Sequence, residues 1–132
     1  MNFLLDTDTC SAYLKGNRRI WSPFQQYAGV LAISAVTAGE LWTWAKRAKA
    51  SRRASPSVEQ FLHNIACLSV DATIAQRFGE LRARLLDLGT PVPDMDLLIA
   101  ATAISHNLTL VTHNTADYAG IPGLRFVDWL AP

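Results

Sequence analysis

Short apolar segments alternate along the chain with stretches of helical spacing, and several of the apolar segments end on a polar or acidic residue. Phe3 to Leu5 reads as a buried strand closing on Asp6, and Asp8 is placed to cap a short helix through Ser11 to Leu14. Ile20 to Tyr27 predicts a second short helix, Val30 to Ile33 a second strand, and Thr37 to about Ala48 a helix with Leu41, Trp44, Ala45 and Ala48 in step. Pro56-Ser57 opens a helix toward Ala66, and Leu68 to Val70 is a short strand. Asp71 caps a long amphipathic helix whose apolar face carries Ile74, Phe78, Leu81, Leu85 and Leu88, with Gly89 as its stop. After the Pro91-Val92-Pro93 break, Asp94 starts an apolar helix over Leu97 to Ile104. Strands follow at Leu108 to Thr112 and Leu124 to Val127.

Strands separated by helices need crossover connections, so this alternation predicts an α/β fold with a central parallel sheet flanked by helices. No internal repeat, low-complexity tract or linker interrupts it, and residues 1–132 read as a single domain. Open sheets of this kind place ligands beyond the carboxyl ends of the strands. That is where the acids fall: Asp6, Glu40, Asp96 and the Asn114/Asp117 pair all stand at predicted strand ends or helix starts. Carboxylates gathered at one edge repel one another unless a cation or protons compensate, so the pattern points to a hard metal ion.

Each of these residues also has an ordinary local reading. Asp6 marks the exit of a buried strand to solvent; Asp8 serves as a cap. Thr37-Ala38-Gly39-Glu40 fits a capping box, which would give Glu40 a structural role. Asp94 and Asp96 lie in a first helical turn, where the macrodipole favours anions; Asp94 is assigned as cap and Asp96 as ligand.

Charge sharpens the picture. The net charge of +1 argues against a general polyanion binder, yet setting aside Asp6, Glu40, Asp96 and Asp117 from the 11 acidic residues leaves 7 against 12 basic. Lys46, Arg47, Lys49, Arg52 and Arg53 fall in one stretch, which reads either as a solvated loop or as a track for an RNA backbone. Cys10 and Cys67, far apart and without ligand spacing, read as small buried residues rather than a disulfide or zinc site. The opening Met1-Asn2-Phe3-Leu4-Leu5-Asp6 has no basic lead and no cleavage site, and no apolar run approaches the roughly 18 to 20 residues that span a bilayer. The expectation is a cytoplasmic chain without a membrane segment.

Four stretches in order carry a family resemblance: Leu4-Leu5-Asp6-Thr7-Asp8; Ile33-Ser34-Ala35-Val36-Thr37-Ala38-Gly39-Glu40-Leu41; Asp96-Leu97-Leu98-Ile99-Ala100-Ala101-Thr102-Ala103; and Leu110-Val111-Thr112-His113-Asn114-Thr115-Ala116-Asp117-Tyr118. With the ending Gly123 to Trp129 they span essentially the whole chain. Together they resemble the PIN-domain ribonucleases, and in order and spacing the VapC toxins of bacterial toxin–antitoxin pairs. The resemblance implies that Asp6, Glu40 and Asp96 hold one or two Mg²⁺ or Mn²⁺ ions and carry out metal-dependent hydrolysis of RNA. Many relatives have aspartate where Asn114 stands, so the fourth metal ligand is either Asn114, through its carbonyl, or Asp117. Thr7 and Thr112 are candidate hydroxyl contacts to phosphate or metal-bound water, and His113, Arg52 and Arg53 are candidate substrate contacts. The resemblance further implies a homodimer, silenced by a small antitoxin protein, with transfer RNA as one known class of substrate. Trp42 and Trp44, separated by roughly 200° on one helix, read in two ways: one of them lies in an interface, or each rests on a separate part of the core.

Two other classes compete. Asp6-Thr7-Asp8-Thr9-Cys10 nearly matches the motif of the haloacid-dehalogenase phosphatases, with Asp6 as nucleophile and Asp8 as acid. Cys10 departs from that motif, and the last lysine is Lys49, too early for the one that such an enzyme sets against the phosphoryl group. A non-catalytic phosphoryl-receiver module meets the same objection.

Overall fold

A computed structural model describes all residues, Met1–Pro132. Its centre is a five-stranded, fully parallel sheet in the order β3-β2-β1-β4-β5, built from β1 (Phe3–Leu5), β2 (Leu31–Ser34), β3 (Ala66–Leu68), β4 (Thr109–Val111) and β5 (Phe126–Val127). Between β1 and β2 lie α1 (Thr7–Leu14), a 3₁₀ turn (Arg18–Ile20) and α2 (Trp21–Gln26). Between β2 and β3 come α3 (Ala35–Lys46) and α4 (Ala54–His63), and between β3 and β4 come α5 (Ala72–Asp87) and α6 (Asp94–Ser105). The short α7 (Thr115–Tyr118) precedes β5. No helix is long and apolar enough to cross a membrane.

Strand alternation divides the core in two. Leu4, Ala32 and Leu110 pack with α5 and α6 on one face, while their neighbours Leu5, Ile33 and Val111 pack with α1, α3 and α4 on the other. Strands buried on both faces show no polar alternation, which is why they read as continuous apolar runs. The chain adds strands leftward from β1 to β3 and then crosses to β4. The strand order therefore reverses between β1 and β4, and the carboxyl ends of those strands flank the crevice where such folds bind ligands.

Most elements stand where the pattern predicts them, with shifts that have local causes. Asp71 caps α5 by accepting from the Ile74 N–H at 3.0 Å. The helix ends on Gly89 at φ 73°, with Gly89 N bonded to Leu86 O and Thr90 N to Leu85 O, the Schellman pairing that a left-handed residue permits. Leu88 does not join the buried face: it lies at the C-cap, 63% exposed. The predicted Ile20–Tyr27 helix is a 3₁₀ turn followed by α2, and α4 opens at Ala54, before Pro56, which is tolerated in its first turn. β3 is Ala66–Leu68 rather than Leu68–Val70, because Ile33 pairs with Cys67 and Ser34 with Leu68. Cys67 is consequently exposed on the sheet's edge strand, against expectation, whereas Cys10 is fully buried.

The capping box at Thr37 is overturned. α3 begins two residues earlier, with Ser34 as N-cap accepting from the Val36 N–H at 3.1 Å. Asp8 is likewise not the cap of α1; Asp6 is, accepting from the Thr7 N–H at 2.8 Å. At α6 the N-cap is Pro93, and Asp94 instead pairs with Arg82 Nε at 3.2 Å on the surface. Trp42 and Trp44 are both half-buried against the same core cluster, with Lys46 Nζ 5.3 Å from the Trp42 ring centre, so their angular separation does not keep them from sharing one core.

Candidate functional site

Asp6 is the first residue past β1 and is 4% exposed. Its backbone N–H donates to Val111 O at 2.8 Å, which ties the end of β1 to the end of β4. One carboxylate oxygen caps α1; the other accepts from Thr112 Oγ1 at 2.8 Å. Thr112 Oγ1 in turn accepts from the Asn114 N–H at 3.1 Å. The predicted Thr112 thus joins Asp6 to the loop that carries Asn114.

Glu40 reaches the same end of the sheet from α3. Thr7 Oγ1 lies 2.6 Å from Glu40 Oε1 and 3.2 Å from Thr37 Oγ1. A hydroxyl has a single proton, and the charged acceptor at the shorter distance takes it. Thr7 therefore orients Glu40, and the buried Thr37 supports Thr7. With the capping box gone, Glu40 has no helix-end role to explain it. Asp96 enters from the first turn of α6, half-buried, and the Tyr118 hydroxyl is the donor that acts on it.

The electrostatics tie these acids together. Burial, and then the Asp8 charge, push the Asp6 carboxyl up to about 6, against the pull of the Thr112, Thr7 and Tyr118 donors. Burial also raises Asp96, and three acids act on it in the same direction: Glu40, Asp117 and Asp8. No basic residue figures among the groups that perturb either carboxyl.

Asp8 was assigned to a cap by its position, but its task is different. Its Oδ2 accepts from the His113 N–H at 3.0 Å and the Asn114 N–H at 3.1 Å. It clamps the loop after β4 against the start of α1. The sequence signal was available: Asp6 and Asp8 cannot both be N-cap of one helix. Tyr118, at the end of α7, was missed altogether because an aromatic at helical spacing reads as core. It is core, at 1% exposure, but its hydroxyl is directed at Asp6 and Asp96.

Asn114 and Asp117 are both exposed on α7 and its N-terminal side; Asp117 is close enough to act on Asp96. His113 is exposed, and its Nδ1 lies 2.9 Å from Asp128 Oδ2. Arg52 and Arg53 are exposed and make no ion pair and no contact with the acids.

A divalent hard cation is the group that this donor set fits. Its donors are all oxygen, and the nearby charges are all negative. A fully buried hydroxyl without a partner, that of Tyr118, adjoins two of the carboxyls. No three acids converge closely enough to cage an ion as they stand. A hard divalent cation that keeps part of its water shell needs only one or two of these carboxylates directly.

The comparisons agree with this geometry. The PIN domain family model matches residues 3–121. The tRNA(fMet)-specific endonuclease VapC of Salmonella typhimurium is 35% identical over 130 residues, covering 98% of both chains. Ribonuclease VapC2 of Haemophilus influenzae is 30% identical over 131 residues, covering 98% of this chain and 99% of the relative. Among solved structures, the DNA-bound VapBC of Salmonella typhimurium superposes with a TM-score of 0.93 at 35% identity, covering 98% of each chain. The phosphatase and receiver readings find no support, and the Asp8 carboxylate that a phosphatase would use as its acid is occupied by two backbone N–H groups. A parallel sheet with acids from β1, α3 and α6 at its switch point, matched over nearly its whole length by such relatives, makes this chain a member of the PIN-domain family.

Proposed function

We propose that this chain is a VapC-type endoribonuclease, a single-domain cytoplasmic toxin that hydrolyses RNA phosphodiester bonds with Mg²⁺ or Mn²⁺ and is held in check by a small antitoxin. One observation carries the reading: Asp6, Glu40 and Asp96 come from three separate elements at one sheet edge, and Asp6 and Asp96 are destabilised by burial and then by neighbouring acids, with no basic neighbour to offset it. Full-length relatives named as ribonucleases and neighbours solved as VapBC complexes support the same assignment. Transfer RNA is the substrate class we favour, from the name of the Salmonella relative; a homodimer is the assembly we expect.

Asp6, Asp96 and Glu40 would hold the cation, with Asn114 or Asp117 completing the set. The ion, when bound, would lower the pKa of a coordinated water and offset charge on the phosphate. The chain's own residues prepare for this. Thr7 orients Glu40, Thr112 and the α1 N-terminus fix both oxygens of Asp6, and Asp8 holds the Asn114 loop in place. Arg52 and Arg53 would steer the RNA backbone, and His113 stands beside the site as a candidate contact.

The test is incubation of purified protein with total RNA and Mg²⁺ or Mn²⁺, followed by mapping of the cut ends. Cleavage is expected to vanish with chelator and to fall by about 10³-fold in Asp96→Asn, the scale of removing a group that stabilises transition-state charge. Glu40→Gln, which disturbs no cap, is expected to fold normally and lose activity. Undiminished cleavage in chelator would remove the metal-nuclease assignment.

A further inference from the structure

The site described so far leaves the Tyr118 hydroxyl unexplained. The side chain is 1% exposed, yet its oxygen meets no hydrogen-bond partner. Leaving a buried hydroxyl unsatisfied costs roughly 1–3 kcal/mol, and a phenylalanine would fill the same space without that penalty. Its surroundings are not apolar. Asp6 and Asp96 both act on the hydroxyl, and it acts on both of them, without lining up fully with either.

The two carboxyls differ in what already holds them. Asp6 is fixed through Thr7 on one oxygen and Thr112 on the other, and each oxygen keeps a free lone pair. For Asp96 the Tyr118 hydroxyl is the donor in play, with no second one like those on Asp6. We propose that Tyr118 is a positioning residue whose hydroxyl donates its one proton to Asp96 and aims the carboxylate oxygen that Asp96 presents to a divalent cation beside Asp6. The phenol suits the task because an ordinary tyrosine, with a pKa of about 10, already keeps its proton at neutral pH. Outer donors of this kind typically change metal affinity by 10- to 100-fold.

This inference rests on the metal-nuclease reading, and the experiment separates the two. Chelator-treated parent, Tyr118→Phe and Asp96→Asn are titrated with Mn²⁺ by calorimetry, and their melting is followed without metal. Tyr118→Phe retains the ring and is expected to melt at or above the parent temperature without metal, because an orphan polar group has gone. Its Mn²⁺ affinity is expected to fall about 10-fold, and the Mn²⁺ concentration for half-maximal cleavage to rise by the same factor, with the rate at saturating Mn²⁺ close to that of the parent. Mn²⁺ affinity within twofold of a parent that does bind would overturn the role of Tyr118 and leave the nuclease reading intact. Lower melting without metal, accompanied by unchanged affinity, would make the hydroxyl purely structural and overturn the role as well. A parent that takes up no Mn²⁺ would overturn both.

Discussion

The two ends of α1 look onto opposite kinds of chemistry. At its N-terminus, Asp6, Asp8, Thr7 and Thr112 form a hydrogen-bonded polar cluster that holds Glu40 at the β1–β4 crevice. At its C-terminus, Tyr13 stacks on Phe24 at 4.3 Å, and Phe24 and Phe3 meet the edge of Trp129, which stacks on Tyr27 at 5.4 Å. The first region gathers charge that the fold does not neutralise. The second gathers aromatic surface that stabilises the fold and touches none of the acids. The difference locates function and stability in separate places, and the predictions that follow test that separation.

The largest expected effect on stability is at Asp6. Its folded value of about 6 lies above the ordinary 3.8, so the fold favours the neutral acid. The stabilisation from that preference is fully present below pH 3.8 and is lost as pH rises through about 6. Above that window, the metal-free protein carries a penalty of about 3 kcal/mol from ionising this buried group. Asparagine caps helices as well as aspartate does, so Asp6→Asn is expected to be more stable than the parent at pH 7 in chelator, by up to about 3 kcal/mol. It is expected to have flatter stability between pH 4 and 7, while losing cleavage. Urea unfolding at the two pH values measures this, and a parent equally stable at both would mean that Asp6 is not strained.

The aromatic region gives the converse. Trp129 is half-buried, so Trp129→Ala is expected to lower unfolding free energy by about 2–3 kcal/mol, somewhat below the range for a fully buried aromatic. Cleavage per folded molecule is expected to be unchanged. A fall in activity beyond the folded fraction would show that the two regions are coupled.

The same contrast explains what could be read from the sequence. The aromatic and aliphatic side chains set the strands, the long α5 and the order of elements, because their placement follows periodicity alone. At the acid end, local grammar misled. Thr37 and Glu40 have the spacing of a capping box, but Ser34 reaches the helix start first and releases both for the site. Asp8 has the position of a cap, and its partners lie more than a hundred residues away in the chain. Tyr118 has the pattern of a core aromatic; only the fold shows its hydroxyl facing carboxylates. Long-range hydrogen bonds leave no periodic trace.

The smallest expected effect is at Arg52 and Arg53, which belong to neither region. They are exposed and unpaired, and their charge acts through solvent, so changing them is expected to leave folding untouched. If they follow the RNA backbone, each neutralises about one phosphate, and replacing both by alanine is expected to flatten the slope of log affinity against log salt by about 1.4 on single-stranded RNA. Affinity is expected to fall to a similar degree for unrelated sequences, since phosphate contacts carry no base information. The measurement is a filter-binding series across salt concentrations in chelator, so that bound RNA is not cut. An unchanged slope would return the loop between α3 and α4 to a solvated surface and leave substrate steering to the residues around the β1–β4 crevice.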